Sequence, residues 1–279
     1  ILTILNHQCL IATKASRVVY AAQGDGIMEF GLRRAQGPDA GLYGARAAVI
    51  GGCVGTSNVL AGEMFDVPVM GTHAHSWIMT FKDEYTAFKE YARLYPDACT
   101  LLVDTYDTLK SGVPNAIRVF TEMREAGIKP KSYGIRLDSG DLAYLSKKAR
   151  KMLDDAGFQD AVIAASNDLD EFLIHDLKMQ GAAISSWGVG TNLITSKDCP
   201  SFGGVYKLAA IQNAEGEFQP KIKISENIEK ITNPGNKTIY RIYDKETGML
   251  RADLICFADE TFNTGEDLLL FDPNATWKK

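Results

Sequence analysis

The chain has 279 residues, of which 46% are hydrophobic and 23% are charged, and its formal net charge at pH 7 is -5. These values are typical of a folded globular protein and exclude collagen-like, coiled-coil and intrinsically disordered chains. The excess of acidic residues argues against broad nucleic-acid binding, which needs a basic surface. The sequence has no apolar run of about 18 residues, so it predicts no membrane-spanning helix.

Five cysteines occur singly along the chain, without a C-x-x-C pair. This spacing is typical of reduced thiols in a cytoplasmic protein, so we expect a cytoplasmic location and no zinc or redox role for these residues. No signal peptide is visible, and the chain starts without Met inside an apolar helical pattern. We therefore expect a fragment that lacks the N-terminal part of a longer protein.

Apolar residues three to four apart predict a helix from Leu2 to Val19. Further along, short apolar runs alternate with amphipathic stretches, as in parallel sheets whose strands are joined by helices. The predicted strands are Val67–Gly71, Thr100–Asp104, Tyr133–Leu137, Val162–Ala165 and Ile184–Val189. The predicted helices between them are Glu84–Tyr95, Pro114–Ala126 and Leu142–Ala156. A (β/α) barrel and a doubly wound sheet both fit this pattern.

The pattern changes near residue 204, where short strands separated by turn sequences replace the alternation of strands and helices. The predicted strands of this part are Val205–Ile211, Ile222–Ser225, Ile239–Asp244 and Leu254–Ala258. The sequence therefore predicts two domains. They are an α/β catalytic domain over residues 1–203 and an antiparallel β module over residues 204–279.

Polar and glycine residues collect at the ends of the predicted strands of the first domain. The clusters are Gly71–Ser76, Asp104–Asp107, Arg136–Asp141, Ser166–Asp168 and Gly188–Asn192. Binding sites of barrels and open parallel sheets lie at the carboxyl ends of the strands. Five clusters at equivalent positions indicate one shared site for a small molecule.

The residue types in these clusters favour recognition of phosphate and ribose. Gly188 and Gly190 would let backbone N–H groups approach a phosphate, although the pair also fits a tight strand-to-helix turn. Arg136 is suited to bind an anion or to pair with a nearby carboxylate. Asp138 and Asp168 are suited to accept hydrogen bonds from sugar hydroxyls, to hold Mg²⁺ through water, or to cap helices.

His73 and His75 form an H-x-H pair after the first predicted strand. A zinc site needs three or four ligands, and no further His or Cys cluster follows, so zinc and, more generally, a metal-dependent hydrolase on a barrel are disfavoured. A histidine that acts as a nucleophile fits the sequence better.

Five segments, in this order, resemble the nicotinate phosphoribosyltransferase family. They are Glu29–Pro38, Gly55–Ala61, Gly71–Trp77, Arg136–Asp141 and Gly188–Leu193, with further matches at Lys223–Lys230 and Tyr240–Arg241. The resemblance implies an irregular (β/α) barrel of the type II phosphoribosyltransferase kind, beside a smaller antiparallel β module. Because the family's members are longer than this chain, we expect the β module to be incomplete.

The resemblance implies an enzyme of NAD salvage that forms nicotinate mononucleotide and pyrophosphate from nicotinate and 5-phosphoribosyl 1-pyrophosphate. It implies Mg²⁺, bound through the substrate pyrophosphate, and coupling to ATP hydrolysis through a phosphohistidine, so that the enzyme is a ligase as well as a glycosyltransferase. It also implies a homodimer with a shared active site.

The resemblance assigns catalytic roles to three positions and places two more beside the pyridine ring. His75 matches the phosphorylated histidine, Arg136 matches an arginine that reaches the pyridine substituent, and Asp138 matches a carboxylate that contacts ribose. Phe30 matches an aromatic residue that stacks on the pyridine ring, and Arg33 matches an arginine near the ring and the phosphates.

The remaining matched positions are expected to bind the phosphoribosyl part of the substrate. Asp168 matches a second carboxylate that contacts ribose. Gly188 and Gly190 lie in the loop that holds the 5′-phosphate, and Lys197 falls near a basic position used for phosphates.

Ser57 favours nicotinate over nicotinamide as the substrate. Nicotinamide-specific relatives resemble this motif but carry Asp at the matching place, where it accepts a hydrogen bond from the substrate amide. Asp would face the nicotinate carboxylate with a like charge in a poorly solvated pocket, whereas the Ser57 hydroxyl can donate a hydrogen bond to it.

Three alternatives stay open on the sequence. Nicotinamide phosphoribosyltransferase is the nearest, and Ser57 argues against it. Quinolinate phosphoribosyltransferase shares the barrel, but the His75 motif is not part of its pattern. The third is a non-catalytic fragment that folds and only binds nucleotide.

Overall fold

The computed structural model describes residues 1–227, 230–263 and 265–269. The chain divides into two compact units, Ile1–Gly204 and Val205–Lys279. That the second unit is an incomplete module stays a prediction, and its residues 270–279 lie outside the described residues. The same holds for residues 228 and 229 of the Lys223–Lys230 segment. No helix of the described part is long and apolar enough to cross a membrane.

The first unit is a parallel sheet accompanied by helices. The helices are α1 (Leu2–Ala21), α2 (Pro38–Ile50), α3 (Val59–Phe65), α4 (His75–Met79), α5 (Glu84–Leu94), α6 (Val113–Glu125), α7 (Leu142–Asp155), α8 (Glu171–Met179) and α9 (Thr191–Ile194). The strands are β1 (Gly26–Glu29), β2 (Gly55–Thr56), β3 (Ala98–Leu102), β4 (Ser132–Leu137), β5 (Val162–Ala165) and β6 (Ser186–Val189). They form one curled parallel sheet in the order β2-β1-β6-β5-β4-β3. This half-barrel confirms the predicted fold class.

The strands read as apolar runs because the sheet is buried on both faces. Leu101, Ile135, Ile163 and Trp187 of β3, β4, β5 and β6 are at most 1% exposed. Phe88 of α5 belongs to the same core cluster. Burying a side chain of this size stabilises the fold by roughly 1.5–3 kcal/mol.

Short side-chain caps fix the starts of several helices. The carboxylates of Asp83, Asp141 and Asp170 accept backbone N–H groups from the first turns of α5, α7 and α8. Such caps satisfy N–H groups that have no partner within the helix.

The predicted strand Val67–Gly71 is wrong, because this stretch makes only a single bridge, between Val69 and Thr56. Pro68 lacks an N–H group and cannot extend a ladder. The sheet contains β1 and β2 instead, which the sequence pattern does not reveal. Strand β1 has only two apolar residues, between a glycine and a glutamate, and β2 has only two residues, so neither forms an apolar run.

The second unit consists of antiparallel pairs, as predicted. Strand β7 (Ala210–Gln212) pairs with β8 (Phe218–Pro220), and β9 (Lys237–Tyr243) pairs with β10 (Leu250–Phe257). The predicted strand Ile222–Ser225 is wrong, because this stretch is irregular. Its two isoleucines are 58% and 83% exposed, so no buried face holds it in a sheet.

Candidate active site

The carboxyl edge of the sheet gathers predicted site residues from four strand ends. Phe30 follows β1, Ser57 follows β2, Asp138 follows β4 and Gly190 follows β6. Because the strands are parallel, these positions share one edge of the sheet. The fold therefore brings together residues that are far apart in the sequence.

His75 is the first residue of α4, and its side chain is 38% exposed. Its Nδ1 atom lies 3.0 Å from the hydroxyl oxygen of Thr105. Its Nε2 atom lies 3.5 Å from a carboxylate oxygen of Asp138 and 3.8 Å from one of Asp104. When Nδ1–H donates to Thr105, the ring's lone pair is on Nε2. The two carboxylates would stabilise a positive charge on this ring.

Asp104 is a buried carboxylate that links two strand ends. Its Oδ2 atom accepts hydrogen bonds from the Asp138 backbone N–H at 2.7 Å and from the Ser139 hydroxyl at 2.8 Å. Its Oδ1 atom faces His75 and has no hydrogen-bond partner in the part of the chain that the structure describes. The sequence pattern places Asp104 in a strand-end cluster but assigns it no role. Its position at the end of an apolar strand was the feature of the sequence that could have indicated a role in the site.

A row of neighbouring residues, linked by contacts and by close approach at Gly188, leads from His75 to the turn after β1. Asp138 accepts a hydrogen bond from the hydroxyl of Ser166. A Cβ atom at Gly188 would lie 3.5 Å from Cβ of Ser166 and 2.5 Å from Cε2 of Phe30. The row therefore joins the imidazole, a carboxylate, a hydroxyl and an aromatic ring along the edge of the sheet.

Gly188 in β6 and Gly190 directly after it have a packing role that the sequence did not suggest. The Phe30 ring occupies the space that a side chain at Gly188 would need. A Cβ atom at Gly190 would lie 3.1 Å from the carbonyl oxygen of Phe30. Both glycines thus permit the close approach of Phe30. The approach of a phosphate to their backbone stays a prediction.

Arg136 is a half-buried arginine that makes one hydrogen bond to the backbone. Its Nη2 group donates to the backbone oxygen of His73 at 2.8 Å, while its Nε–H has no partner among the described residues. Burial lowers the pKa of Arg136, and the charges of Asp138 and Asp104 oppose this shift. An arginine stays charged at neutral pH, so the unpaired N–H is suited to bind an anionic group.

His73 lies in a very different environment from His75. It is 8% exposed, its Nε2 atom accepts a hydrogen bond from the Leu102 N–H at 3.3 Å, and its ring meets Tyr91 edge-on at 4.5 Å between centroids. Burial lowers the pKa of His73 to about 4, so the ring is neutral at neutral pH. His73 is therefore a core residue, and His75 is the accessible histidine of the pair.

The loop after β5 carries Asp168 in an uncommon backbone conformation. Asn167 and Asp168 have φ angles of 98° and 38°, in the left-handed region that Asn and Asp tolerate best among residues with a side chain. The buried amide of Asn192 donates to the carbonyl oxygens of Asp168 at 2.7 Å and Leu169 at 3.1 Å. Asn192 thereby ties this loop to α9. The carboxylate of Asp168 has no hydrogen bond or ion pair to any other described residue.

Ser57 lies directly after β2, on the strand that neighbours β1. Its backbone N–H donates to the carbonyl oxygen of Glu29 at 3.0 Å. The hydroxyl of this half-buried residue makes no hydrogen bond to the rest of the described chain. It is therefore available to a ligand at the end of β1 and β2.

The structure does not connect Arg33 and Lys197 to the row of contacts. Arg33 is exposed in a short 3-10 turn, Leu32–Arg34, and Lys197 is exposed beyond α9. Neither side chain makes a hydrogen bond or an ion pair within residues 1–227, 230–263 and 265–269. Arg33 has no charged partner there, Lys197 lies near the carboxylate of Asp198, and the contacts of both cations with phosphates stay predictions.

Two carboxylates at this edge, those of Asp138 and Asp168, are of the kind that can hold Mg²⁺ together with phosphates and water. Among the described residues, no group of three or more His, Cys, Asp or Glu is placed to hold a metal ion. Mg²⁺ is usually bound by one or two carboxylates together with substrate phosphates and water. Asp168 and the partly exposed Asp138 supply carboxylates of this kind.

The sequence matches two family models that together span most of the chain. The Nicotinate phosphoribosyltransferase (NAPRTase) family model matches residues 26–247, and the Nicotinate phosphoribosyltransferase C-terminal domain model matches residues 236–279. The nicotinate phosphoribosyltransferase of Bacillus subtilis (strain 168) is 54% identical over 99% of this chain and 56% of its own length. That of Homo sapiens is 32% identical over 99% of this chain and 60% of its own length.

The fold is similar to solved structures of nicotinate-related enzymes. The crystal structure of human nicotinic acid phosphoribosyltransferase has a TM-score of 0.72 and 29% identity, over 92% of this chain and 57% of that chain. The crystal structure of nicotinate-nucleotide pyrophosphorylase from Pyrococcus furiosus has a TM-score of 0.67 and 26% identity, over 92% and 60%. The chain therefore spans somewhat more than half the length of these relatives.

Proposed function

The chain belongs to the nicotinate phosphoribosyltransferase family, and we propose that the protein transfers the phosphoribosyl group of 5-phosphoribosyl 1-pyrophosphate to nicotinate in NAD salvage. The observation that carries this proposal is 54% identity to the Bacillus subtilis enzyme along 99% of the chain. The contacts between strand ends support it, because they join residues suited to bind a ring, a ribose and an anion.

In the proposed reaction, the ring nitrogen of nicotinate forms a bond to C1 of the ribose. The bond from C1 to the pyrophosphate oxygen breaks, and its electron pair leaves with the pyrophosphate. Positive charge develops at C1, as in glycoside cleavage. No protein nucleophile is needed at C1, so the protein acts by positioning the substrates and stabilising charge.

The pyridine ring of nicotinate would stack on Phe30 at the end of β1. Arg136 has an unpaired N–H group that would donate to the nicotinate carboxylate. The hydroxyl of Ser57 would donate to the same carboxylate from the end of β2. Both groups are donors to a carboxylate. They therefore favour nicotinate over nicotinamide.

The carboxylates of Asp138 and Asp168 would accept hydrogen bonds from the ribose hydroxyls. Mg²⁺ would neutralise charge on the leaving pyrophosphate, held by its phosphates and by these carboxylates through water. Arg33, Lys197 and the backbone at Gly188 and Gly190 would bind the phosphates. The exposure of both cations supports this assignment.

We propose ATP as a co-substrate that phosphorylates His75. The Nε2 lone pair would bond to the γ-phosphorus, the bond between the β,γ-bridging oxygen and that phosphorus would break, and ADP would leave with the electron pair. Thr105 would accept the Nδ1–H, and Asp104 and Asp138 would stabilise the resulting cationic ring. Hydrolysis of the phosphohistidine would then favour release of products.

We also propose a homodimer that shares its active site and functions in the cytoplasm. Exposed apolar side chains on α3 support a protein interface near β2, since Val59, Leu60 and Met64 are 69%, 51% and 54% exposed. Light scattering of the full chain tests the dimer. A monomer at micromolar concentration would contradict it.

The test of the proposed function is product formation by the full chain with 5-phosphoribosyl 1-pyrophosphate, Mg²⁺ and ATP. Nicotinate, nicotinamide and quinolinate are supplied in parallel, and each nucleotide is quantified by chromatography. We expect nicotinate mononucleotide and pyrophosphate in equal amounts, and little product from the other two acceptors. Turnover of nicotinamide or quinolinate in preference to nicotinate would contradict the proposal, as would the absence of any product.

A further inference from the structure

Glu29 is a fully buried carboxyl group at the end of β1. It is 0% exposed, and its two neighbours across the sheet are Thr56 of β2 and Val189 of β6. Glu29 directly precedes Phe30, and Thr56 directly precedes Ser57. The pair therefore lies just behind the two side chains proposed to bind the pyridine ring.

The Glu29 side chain is hydrogen-bonded to the beginnings of both turns. One carboxylate oxygen accepts the backbone N–H of Gly31. The other oxygen accepts the hydroxyl of Thr56 at 2.6 Å, and that hydroxyl oxygen accepts the Asn58 backbone N–H at 3.0 Å. In the first turn, Phe30 lies between Glu29 and Gly31. In the second turn, Ser57 lies between Thr56 and Asn58.

The packing around Gly31 leaves this turn little freedom. A Cβ atom at Gly31 would lie 2.7 Å from a carboxylate oxygen of Glu29 and 2.3 Å from Cβ of Ile194 in α9. A side chain at this position would collide with both neighbours. The carboxyl group of Glu29 is thus packed directly against the turn that carries Phe30.

Burying the carboxyl group of Glu29 costs folding free energy that an apolar side chain at the same position would not cost. Burial raises the pKa of Glu29, and the hydrogen bonds from Thr56 and Gly31 oppose this shift. A buried ionisable group with its partners often contributes no more stability than well-packed apolar side chains of the same volume. What this group supplies here is a defined geometry of two adjacent turns.

We propose that Glu29, acting through Thr56, is a positioning residue that fixes Phe30 and Ser57 relative to each other and thereby sets the affinity for the pyridine substrate. This inference rests on the proposed function. It adds that affinity for the pyridine ring depends on a different set of contacts from affinity for the phosphates. Asp138, Asp168 and Lys197 of the proposed phosphoribosyl site lie on other loops, so affinity for the phosphoribosyl group should depend much less on Glu29 than affinity for the pyridine does.

Because removal of the Glu29 carboxyl leaves two buried donors unpaired and risks unfolding, Thr56 is the better position for the test. Thr56→Val keeps the side-chain shape and removes the hydroxyl, whereas Thr56→Ser keeps the hydroxyl. Ser146→Ala is the matched control, because Ser146 is 0% exposed in α7 and its hydroxyl oxygen accepts the Ala183 N–H at 3.1 Å. KM for nicotinate, KM for phosphoribosyl pyrophosphate and kcat are measured for each variant.

We expect Thr56→Val to raise KM for nicotinate at least about tenfold, because a displaced ring and hydroxyl no longer match the substrate. In this variant, KM for phosphoribosyl pyrophosphate should stay within about twofold of the wild-type value. Thr56→Ser should have wild-type values of both KM constants. Ser146→Ala should change neither KM. Equal changes in the two KM values, or failure of Thr56→Ser to restore them, would overturn the proposal.

A double-mutant cycle attributes the effect to Glu29. Glu29→Gln keeps an acceptor for Gly31 but removes the acceptor for the Thr56 hydroxyl. If the two side chains act through one link, the double variant with Thr56→Val should match Thr56→Val alone. Additive effects on KM for nicotinate would show that Glu29 does not act through Thr56.

Amide hydrogen exchange needs no turnover and separates this inference from the proposed function. Thr56→Val should speed exchange in segments 30–33 and 57–61, and Ser146→Ala should not. Unchanged exchange in these segments would overturn the positioning role even in an active enzyme. Faster exchange in a chain that forms no nicotinate mononucleotide would contradict the proposed function and, with it, the claim on substrate affinity, but not the link between the turns.

Discussion

The carboxylate of Asp104 faces Nε2 of His75 across 3.8 Å, and its side chain is only 1% exposed. This distance is too long for a hydrogen bond, so the interaction between the two groups is electrostatic. Because Asp104 is shielded from water, its charge is weakly screened at the histidine. The Asp104 carboxyl is held by Asp138 and Ser139 from the next strand end, so its position relative to His75 is defined by the sheet.

His75→Ala should keep some phosphoribosyl transfer but lose its stimulation by ATP, because the ring that would accept the phosphoryl group is gone. The initial rate of nicotinate mononucleotide formation is measured with and without ATP. His175→Ala is the control, since His175 is an exposed histidine of α8. Equal stimulation by ATP in wild type and His75→Ala would contradict the phosphohistidine proposal.

Ser57→Asp should weaken binding of nicotinate at least about tenfold, because two carboxylates would meet in a half-buried pocket. Ser57→Ala removes only the hydroxyl and should have a smaller effect. The Kd values for nicotinate mononucleotide and nicotinamide mononucleotide are compared by calorimetry. An aspartate variant that retains the wild-type preference for the acid would show that Ser57 does not face the pyridine substituent.

Gly188→Ala should destabilise the fold by about 1–3 kcal/mol, since its Cβ atom would lie 2.5 Å from the Phe30 ring. Gly71→Ala is the matched control, because a Cβ atom there meets nothing within 4 Å. The control should change the free energy of unfolding by less than about 0.5 kcal/mol. Urea unfolding of both variants gives the comparison, and equal stability would contradict the packing of Phe30 on Gly188.

His73→Gln should make stability less dependent on pH between 6.5 and 4. Burial lowers the pKa of His73 from 6.5 to about 4, so in this range the unfolded chain binds a proton that the folded chain excludes. The free energy of unfolding of the wild type should therefore fall by about 3 kcal/mol more than that of the variant as the pH drops from 7 to 4. Glutamine retains an acceptor for the Leu102 N–H.

The measurement is urea unfolding of both proteins at a series of pH values from 7 to 4. The difference between their free energies of unfolding should change through this window and level off below about pH 4. A constant difference at every pH would show that His73 titrates normally in the folded protein.

The residues at the ends of β3, β4 and β5 could be found from the sequence. Their strands are apolar runs of four to six residues in a buried parallel sheet, and the polar residues that follow mark the carboxyl edge. Asp104, Arg136 and Asp138 stand at these ends. The ends of β1 and β2 are different, because β1 has only two apolar residues and β2 has only two residues in all, so neither strand forms an apolar run.

Which side chains are buried could not be read from the sequence. His73 and His75 belong to the same motif, yet only His73 packs against Tyr91 and accepts the Leu102 N–H, and both partners come from distant elements. The need for glycine at position 188 likewise depends on Phe30, which is far away in the sequence. Such contacts follow from tertiary packing rather than from local spacing.

The central claim is that this chain carries a binding site for the acid form of the pyridine nucleotide. Its most direct test is the thermal unfolding of the full chain with Mg²⁺ and either nicotinate mononucleotide or nicotinamide mononucleotide. A ligand at a hundredfold excess over its Kd stabilises the folded state by roughly 2.7 kcal/mol. We predict a rise in Tm with the acid nucleotide and none with the amide at the same concentration. An equal or larger rise with the amide nucleotide, or no rise with either, would contradict the claim.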